Sequence, residues 1–298
     1  GPAYESIKMQ TPVFSPDGRR IAYGVKDGAK EFVVLDGVAD PEFETIMNES
    51  FSADSQHYGY IGENNQRTTP TDTAVIDGKP QKSYAGVRNL MFSPDGKHYV
   101  YFATDLINLV PHTADYYLVV DGVEGPKTAN PLMEFLYLTI STNGKTAYVA
   151  SNGTDDYIQV GNTSGPKFKY IAPDSVVFSH DGQHLAYYAQ TSGNTAQVML
   201  DGKPGPVLDL KTDHDEVTIP VFSPDGNHLA YSATIAGKNV VVLDGKPGPP
   251  LDFVPKPLIE PTGGRMLSIQ DWPLVFSKDS AHLAYQAGKG SKSFVMID

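Results

Sequence analysis

Val13-Phe14-Ser15-Pro16-Asp17-Gly18 is the first occurrence of a phrase that the chain repeats. It returns as Phe51-Ser52-Ala53-Asp54-Ser55, Phe92-Ser93-Pro94-Asp95-Gly96 and Ile140-Ser141-Thr142-Asn143-Gly144. Further copies are Phe178-Ser179-His180-Asp181-Gly182, Phe222-Ser223-Pro224-Asp225-Gly226 and Phe276-Ser277-Lys278-Asp279-Ser280. From Phe14 onward the steps are 37, 41, 48, 38, 44 and 54 residues. A period in this range marks a stack of supersecondary units, each unable to bury its apolar face alone.

Working outward from the phrase, each unit reads as four short strands. An apolar run ends in Phe-Ser, and Pro-Asp-Gly follows as a tight turn: Pro presets φ, Asp bonds its own backbone two residues on, and Gly accepts a positive φ. A second run follows, such as His228-Leu229-Ala230-Tyr231. The third, Val240-Val241-Val242-Leu243, closes on Asp244-Gly245, a strong hairpin signal. Lys-Pro-Gly-Pro then leads to a less regular fourth strand. No window shows a sustained helical period, so the chain reads as all-β.

Four-stranded units of this length, arranged radially, make a β-propeller. Seven units in 298 residues give about 43 each, and the expected fold is one seven-bladed propeller spanning residues 1–298 as a single domain. Tyr4 to Ile7 is similar to Phe43 to Ile46, so residues 3–8 are predicted to complete the last blade, 275–298, and close the ring against exposed edges.

The Phe-Ser-Pro-Asp-Gly phrase with its following Ala-Tyr resembles the WD-like repeat of TolB-type propellers, the Pro-Asp variety, over essentially the whole chain. That resemblance implies a propeller, in a group that spans periplasmic scaffolds, peptidase accessory domains and polysaccharide lyases. It also implies an extracytoplasmic location, periplasmic or secreted.

Composition narrows the function. Lys plus Arg number 23 against 35 acidic residues, a formal net charge of −12. That opposes binding to a phosphate backbone, which needs clustered basic surface, and attraction to an anionic leaflet. No cysteine is present, which excludes disulfides and thiolate metal sites. No apolar stretch approaches the ~18 residues of a membrane helix, so membrane insertion is not expected.

Most chemistry-bearing residues belong to the repeat. His57, His98, His184, His228 and His282 share one slot, two residues past the turn Gly or Ser, with Arg20 and Thr146 in the remaining units. A recurrence at symmetry-related positions is structural and cannot be one active site. Tyr23, Tyr60, Tyr101, Tyr187, Tyr231 and Tyr285 share another slot, expected to pack between blades with satisfied hydroxyls.

The departures concentrate in the connections from second to third strand and between units, which share one face. Long loops on a rigid scaffold are where binding normally resides. Candidate ligand-binding residues there are Asn64, Arg67, Asp105, His112, Arg265 and Trp272, the last either an apolar plug or a stacking platform. Asp213, His214 and Asp215, with His112 arriving from another loop, form a candidate divalent-metal set, of the His-plus-carboxylate kind that suits zinc or manganese. There is no Gly-x-Ser-x-Gly elbow, no His-Glu-x-x-His and no thiol nucleophile. The expected function is therefore non-catalytic recognition of a protein, peptide or saccharide, without a cofactor. The alternative is a metal-assisted polysaccharide lyase or hydrolase at the channel mouth.

Overall fold

The structure, a computed structural model, describes residues 2–8, 11–64, 71–105, 115–129, 138–210, 219–254 and 274–297. Among them the strands form seven antiparallel sheets, each built from consecutive strands. The helical element of the described residues is one 3-10 turn, Pro173–Ser175. None of the described helical structure is long and apolar enough to cross a membrane.

The chain divides into two compact units, residues 1–133 with 142–144, and residues 134–141 with 145–298. The first unit carries sheets one to three, whose long strands begin with Ile21–Asp27 and Lys30–Leu35. Sheet two is Thr45–Phe51, Tyr58–Asn64, Thr71–Ile76 and Lys79–Tyr84; sheet three starts with Gly86–Phe92 and Tyr99–Thr104. Each neighbouring pair has its own apolar layer. Ala22, Val33, Ile46 and Tyr60 fill the first, and Ile61, Val87, Tyr101 and Val119 the second.

The second unit carries sheets four to seven in the same manner. Ala147, Ile171 and Tyr187 lie between sheets four and five, and Ala186, Val198 and Tyr231 between five and six. Val241, Leu274 and Tyr285 lie between six and seven. The last sheet has three described strands, Leu274–Phe276, Leu283–Lys289 and Lys292–Ile297.

The repeated phrase folds as one hydrogen-bonded knot. Ser15, Ser52, Ser93, Ser179, Ser223 and Ser277 each donate Oγ–H to the turn aspartate two residues on, at 2.5–2.6 Å. The same Oγ accepts the backbone N–H of the residue in the His/Arg slot. That side chain reaches the aspartate of the third-strand hairpin: His57 to Asp77, His98 to Asp121 and His184 to Asp201 at 2.7 Å, His228 to Asp244 at 2.8 Å, and Arg20 to Asp36 at 2.9 Å. These hairpin aspartates sit at φ near +50° and are followed by a positive-φ glycine, the type I′ combination that matches strand twist.

The slot also ties each sheet to the next. The rings of His57, His184 and His228 stack on Phe92, Phe222 and Phe276, with centroids 6.4–6.5 Å apart, and Arg20 lies over Phe51 at 5.7 Å. Local packing, as the sequence implies, is what these histidines do. Two of the repeat tyrosines depart from expectation. Tyr60 and Tyr231 are buried, yet their hydroxyls have no hydrogen-bond partner, as is also true of neighbouring Tyr58. Their rings are held by apolar packing rather than by the phenol.

The N-terminal residues also go elsewhere than predicted. Ser6–Ile7 pair with Lys26 and Val25, in the first sheet and not the last. The similarity to Phe43–Ile46 is real, but Thr45–Phe51 is the first strand of its sheet, and residues 6–7 open the first sheet in the same way. Lys8 Nζ bonding Glu31 at 2.8 Å and Tyr4 edge-on to Phe32 at 5.6 Å fix the segment there.

First strands are interrupted at one recurring place, opposite the repeat tyrosine. In sheets two and three a two-residue bulge, containing Asn48 or Asn89 at φ 57°, faces Tyr60 or Tyr101. In sheets one and five the break widens: pairing stops at Ile7 and resumes at Val13, or stops at Ile171 and resumes at Val177. In sheet seven Phe253 bridges to Gly288, and pairing resumes at Leu274 opposite Tyr285. The long insert after Val254 therefore interrupts a strand, rather than preceding the sheet.

Candidate functional site

The second strands of sheets two and three end at Asn64 and at Thr104; Asn64 and Asp105, the residue just past the latter, are each four beyond the repeat tyrosine. From these ends depart the two long loops singled out in the sequence. Asn64 closes the pairing of Tyr58–Asn64 with Thr71–Ile76, opposite Thr71. Asp105 accepts a hydrogen bond from Tyr117 Oη at 2.6 Å, and this bond is the leading reason the phenol is raised above its ordinary value.

Between those two positions lies a charged cluster that sequence reasoning missed. Glu63 and Asp72 are cross-strand partners, and Arg88 Nη1 reaches Asp72 at 2.8 Å and Glu63 at 3.5 Å. Burial raises the Glu63 carboxyl above its ordinary range; Asp72 adds repulsion, and Arg88 opposes both. Asp72 also accepts the Val87 backbone N–H at 3.0 Å. On the flank, Lys82 and Tyr84 both donate to Glu124 at 2.6 Å, and those two bonds hold the Glu124 carboxyl low.

Part of this cluster is again repeat architecture. Five residues ahead of the third-strand hairpin, Glu31, Asp72 and Asp156 each accept a backbone N–H from the following sheet, of Ile46, Val87 and Ile171. The acid clasps one sheet to the next. For Glu31, burial disfavours ionisation, but the Lys8 ammonium and the Ile46 amide outweigh it and keep the carboxyl low. The signal was present in the sequence as an acid at a fixed distance before Asp36, Asp77 and Gly161. What goes beyond the clasp is the second carboxylate, Glu63, and the guanidinium of Arg88, about half exposed at 51%.

Arg67, His112, Arg265 and Trp272 lie outside the described residues, as do Asp213, His214 and Asp215 of the candidate metal set. Among the described residues no group of three or more His, Cys, Asp or Glu side chains is placed to hold a metal ion. Chemically, the described part of the surface offers hydrogen-bond acceptors, one exposed guanidinium and a phenol, suited to holding a polar ligand.

No family model and no curated protein matches the chain. Solved structures similar to it include a eukaryotic initiation factor, at 13% identity and TM-score 0.49, covering 99% of this chain and 75% of that one. TolB from Acinetobacter baumannii is similar at 19% identity and TM-score 0.35, over 76% of this chain and 62% of that one. The β-propeller domain of the trilobed protease from Pyrococcus furiosus, described as having an open velcro topology, is similar at 13% identity and TM-score 0.40, over 99% and 94%. The architecture above rests on the chain's own strand pairing.

Proposed function

We propose that the seven sheets are the blades of a WD-like β-propeller, and that the protein is a non-catalytic, extracytoplasmic binding module. It recognises a protein, peptide or saccharide through the loop-bearing ends of its blades. One observation carries this reading. The repeat consumes its histidines, serines and turn aspartates in internal joints, whereas Asn64 and Asp105 stand at the roots of the longer loops, with the Arg88 guanidinium at Glu63, next to Asn64. Convergent polar groups on a rigid frame supply orientation for a ligand, and loop sequence supplies specificity.

Arrays of acidic and neutral saccharides and of peptides test it. The wild-type chain is expected to retain a discrete ligand set, and the pair Asn64→Ala with Asp105→Ala to weaken it about tenfold, near 1.4 kcal/mol. Lys79→Ala and Lys246→Ala, in the third-strand hairpins, are expected to leave binding unchanged. Equal binding by the loop-root variant would overturn the proposal, and so would multiple-turnover cleavage of a retained saccharide.

A further inference from the structure

The fourth residue past the hairpin aspartate holds a fixed place in the repeat. As Asp40, Gly125, Gly205 and Gly248 it donates its backbone N–H to Val33, Leu118, Val198 and Val241, at 2.8–2.9 Å. Glycine in that place has no polar side chain to bury. Sheet one carries a carboxylate there instead, and sheet two an amide, Gln81. The amide is satisfied: Tyr99 Oη donates to Gln81 Oε1, and Gln81 Nε2 donates to the Lys79 carbonyl, both at 3.1 Å.

Asp40 has no such closure. It is half-buried between sheets one and two, its Oδ1 2.7 Å from where a Cβ on Gly78 would stand. Its Oδ2, Tyr58 Oη and Tyr60 Oη are all buried without a hydrogen-bond partner. Tyr58, in the slot of Tyr99, is 1% exposed and Tyr60 0%, with ring centroids 6.4 Å apart. These groups form one cluster. Burial raises both phenols above their ordinary value, with Glu49 and Asp40 adding to the effect on Tyr58, and Asp40 on Tyr60. Both therefore stay protonated and neutral at pH 7. Among the described residues no Lys, Arg or His pairs with Asp40, since Arg20 and His57 of the flanking hairpins are committed to Asp36 and Asp77. The other charges that act on the cluster, Asp77 and Glu49, are negative. A buried charge is ordinarily paired or coordinates a metal ion.

We propose that Asp40, Tyr58 and Tyr60 bind a monovalent metal cation, sodium or potassium, between sheets one and two. The single carboxylate balances its charge, and the carboxylate and phenol oxygens are its ligands. Calcium takes about six to eight oxygen ligands, and magnesium a near-ideal octahedron; one carboxylate with two phenols meets neither demand. The site differs in kind from the His-plus-carboxylate set sought in the loops. It fastens the first two sheets to each other and is independent of any ligand at the loop roots.

Melting of the full chain at pH 7 tests this. Tetramethylammonium chloride, whose cation is too large for the site, is replaced stepwise at constant ionic strength by sodium or potassium chloride. An ion that binds the folded state raises Tm by mass action. The wild type is expected to gain about 2 °C or more with sodium or potassium, once the ion exceeds its Kd about tenfold. Asp40→Asn is expected to melt above the wild type in tetramethylammonium and to show no response to either ion. Asp40→Gln, which copies Gln81, is likewise expected to be insensitive. Equal wild-type Tm in all three salts would overturn the site and leave Asp40 to water and the proton. The same rise in the wild type and both variants would overturn its placement at Asp40. A response to calcium chloride alone would overturn the monovalent assignment.

Discussion

The carboxylates of this protein divide into two kinds, and the division has a pH signature. The turn aspartates Asp17, Asp95 and Asp181 are held below the ordinary carboxylate value, first by the serine hydroxyl two residues earlier and then by a backbone N–H. A carboxyl whose folded pKa is depressed contributes stability above its unfolded pKa, and that contribution is lost as pH falls through the folded value. Asp40 behaves oppositely. Burial raises it and Asp77 adds repulsion, while its Oδ2 has no hydrogen-bond partner. A raised acid favours the folded state only while protonated, so it costs stability as pH rises through the window between its unfolded and folded pKa. Asp40→Asn is therefore expected to raise Tm at pH 7 and to change it little near pH 4. Calorimetry at both pH values checks this, and a lower Tm at pH 7 would show that the buried carboxylate is stabilising. The histidine slot was legible as structural from its recurrence alone. Its two partners, the hairpin aspartate and the next sheet's Phe, were not, because nothing in the linear spacing says which way an imidazole turns.

At the scale of the element, the turns and hairpins were readable and the first strands were not. Pro-Asp-Gly and Asp-Gly announce themselves because only certain residues tolerate their backbone angles. The interruption opposite the repeat tyrosine has no common sequence: it is Asn48-Glu49 in sheet two, Asn89-Leu90 in sheet three and Ala172 to Val176 in sheet five. A bulge is defined by pairing on the partner strand, so local composition does not reveal it. The same holds for residues 3–8, whose similarity to a strand start does not say which sheet the strand joins. Deleting residues 1–8 removes the Ser6–Ile7 pairing, the Lys8–Glu31 ion pair and the Tyr4–Phe32 contact. The deletion is expected to lower Tm by about 5 °C or more, on the usual scale of a few degrees per kcal/mol. An unchanged Tm would mean that the segment contributes nothing to the first sheet. Of the candidate site, only Asn64, at a strand end, and Asp105, just past one, fall among the described residues; Arg88 sits inside a first strand and outside any loop, where loop lengths do not point.

For the whole molecule, seven sheets with a layer of apolar side chains at each described junction account for the repeat that the sequence displays. Repeat stability is a sum of unit and nearest-neighbour terms, so every described junction contributes. On the proposed reading, the polar residues of the repeat serve those junctions, and Asn64 and Asp105 at the loop roots serve the ligand. Measuring Tm and ligand retention side by side, for His228→Ala and for the pair Asn64→Ala with Asp105→Ala, tests this division most directly. His228→Ala, which loses the bond to Asp244 and the stacking on Phe276, is expected to lower Tm and keep the ligand, and the loop-root pair to weaken binding with little change in Tm. Binding lost in His228→Ala with Tm unchanged, or retained in full by the loop-root pair, would contradict it.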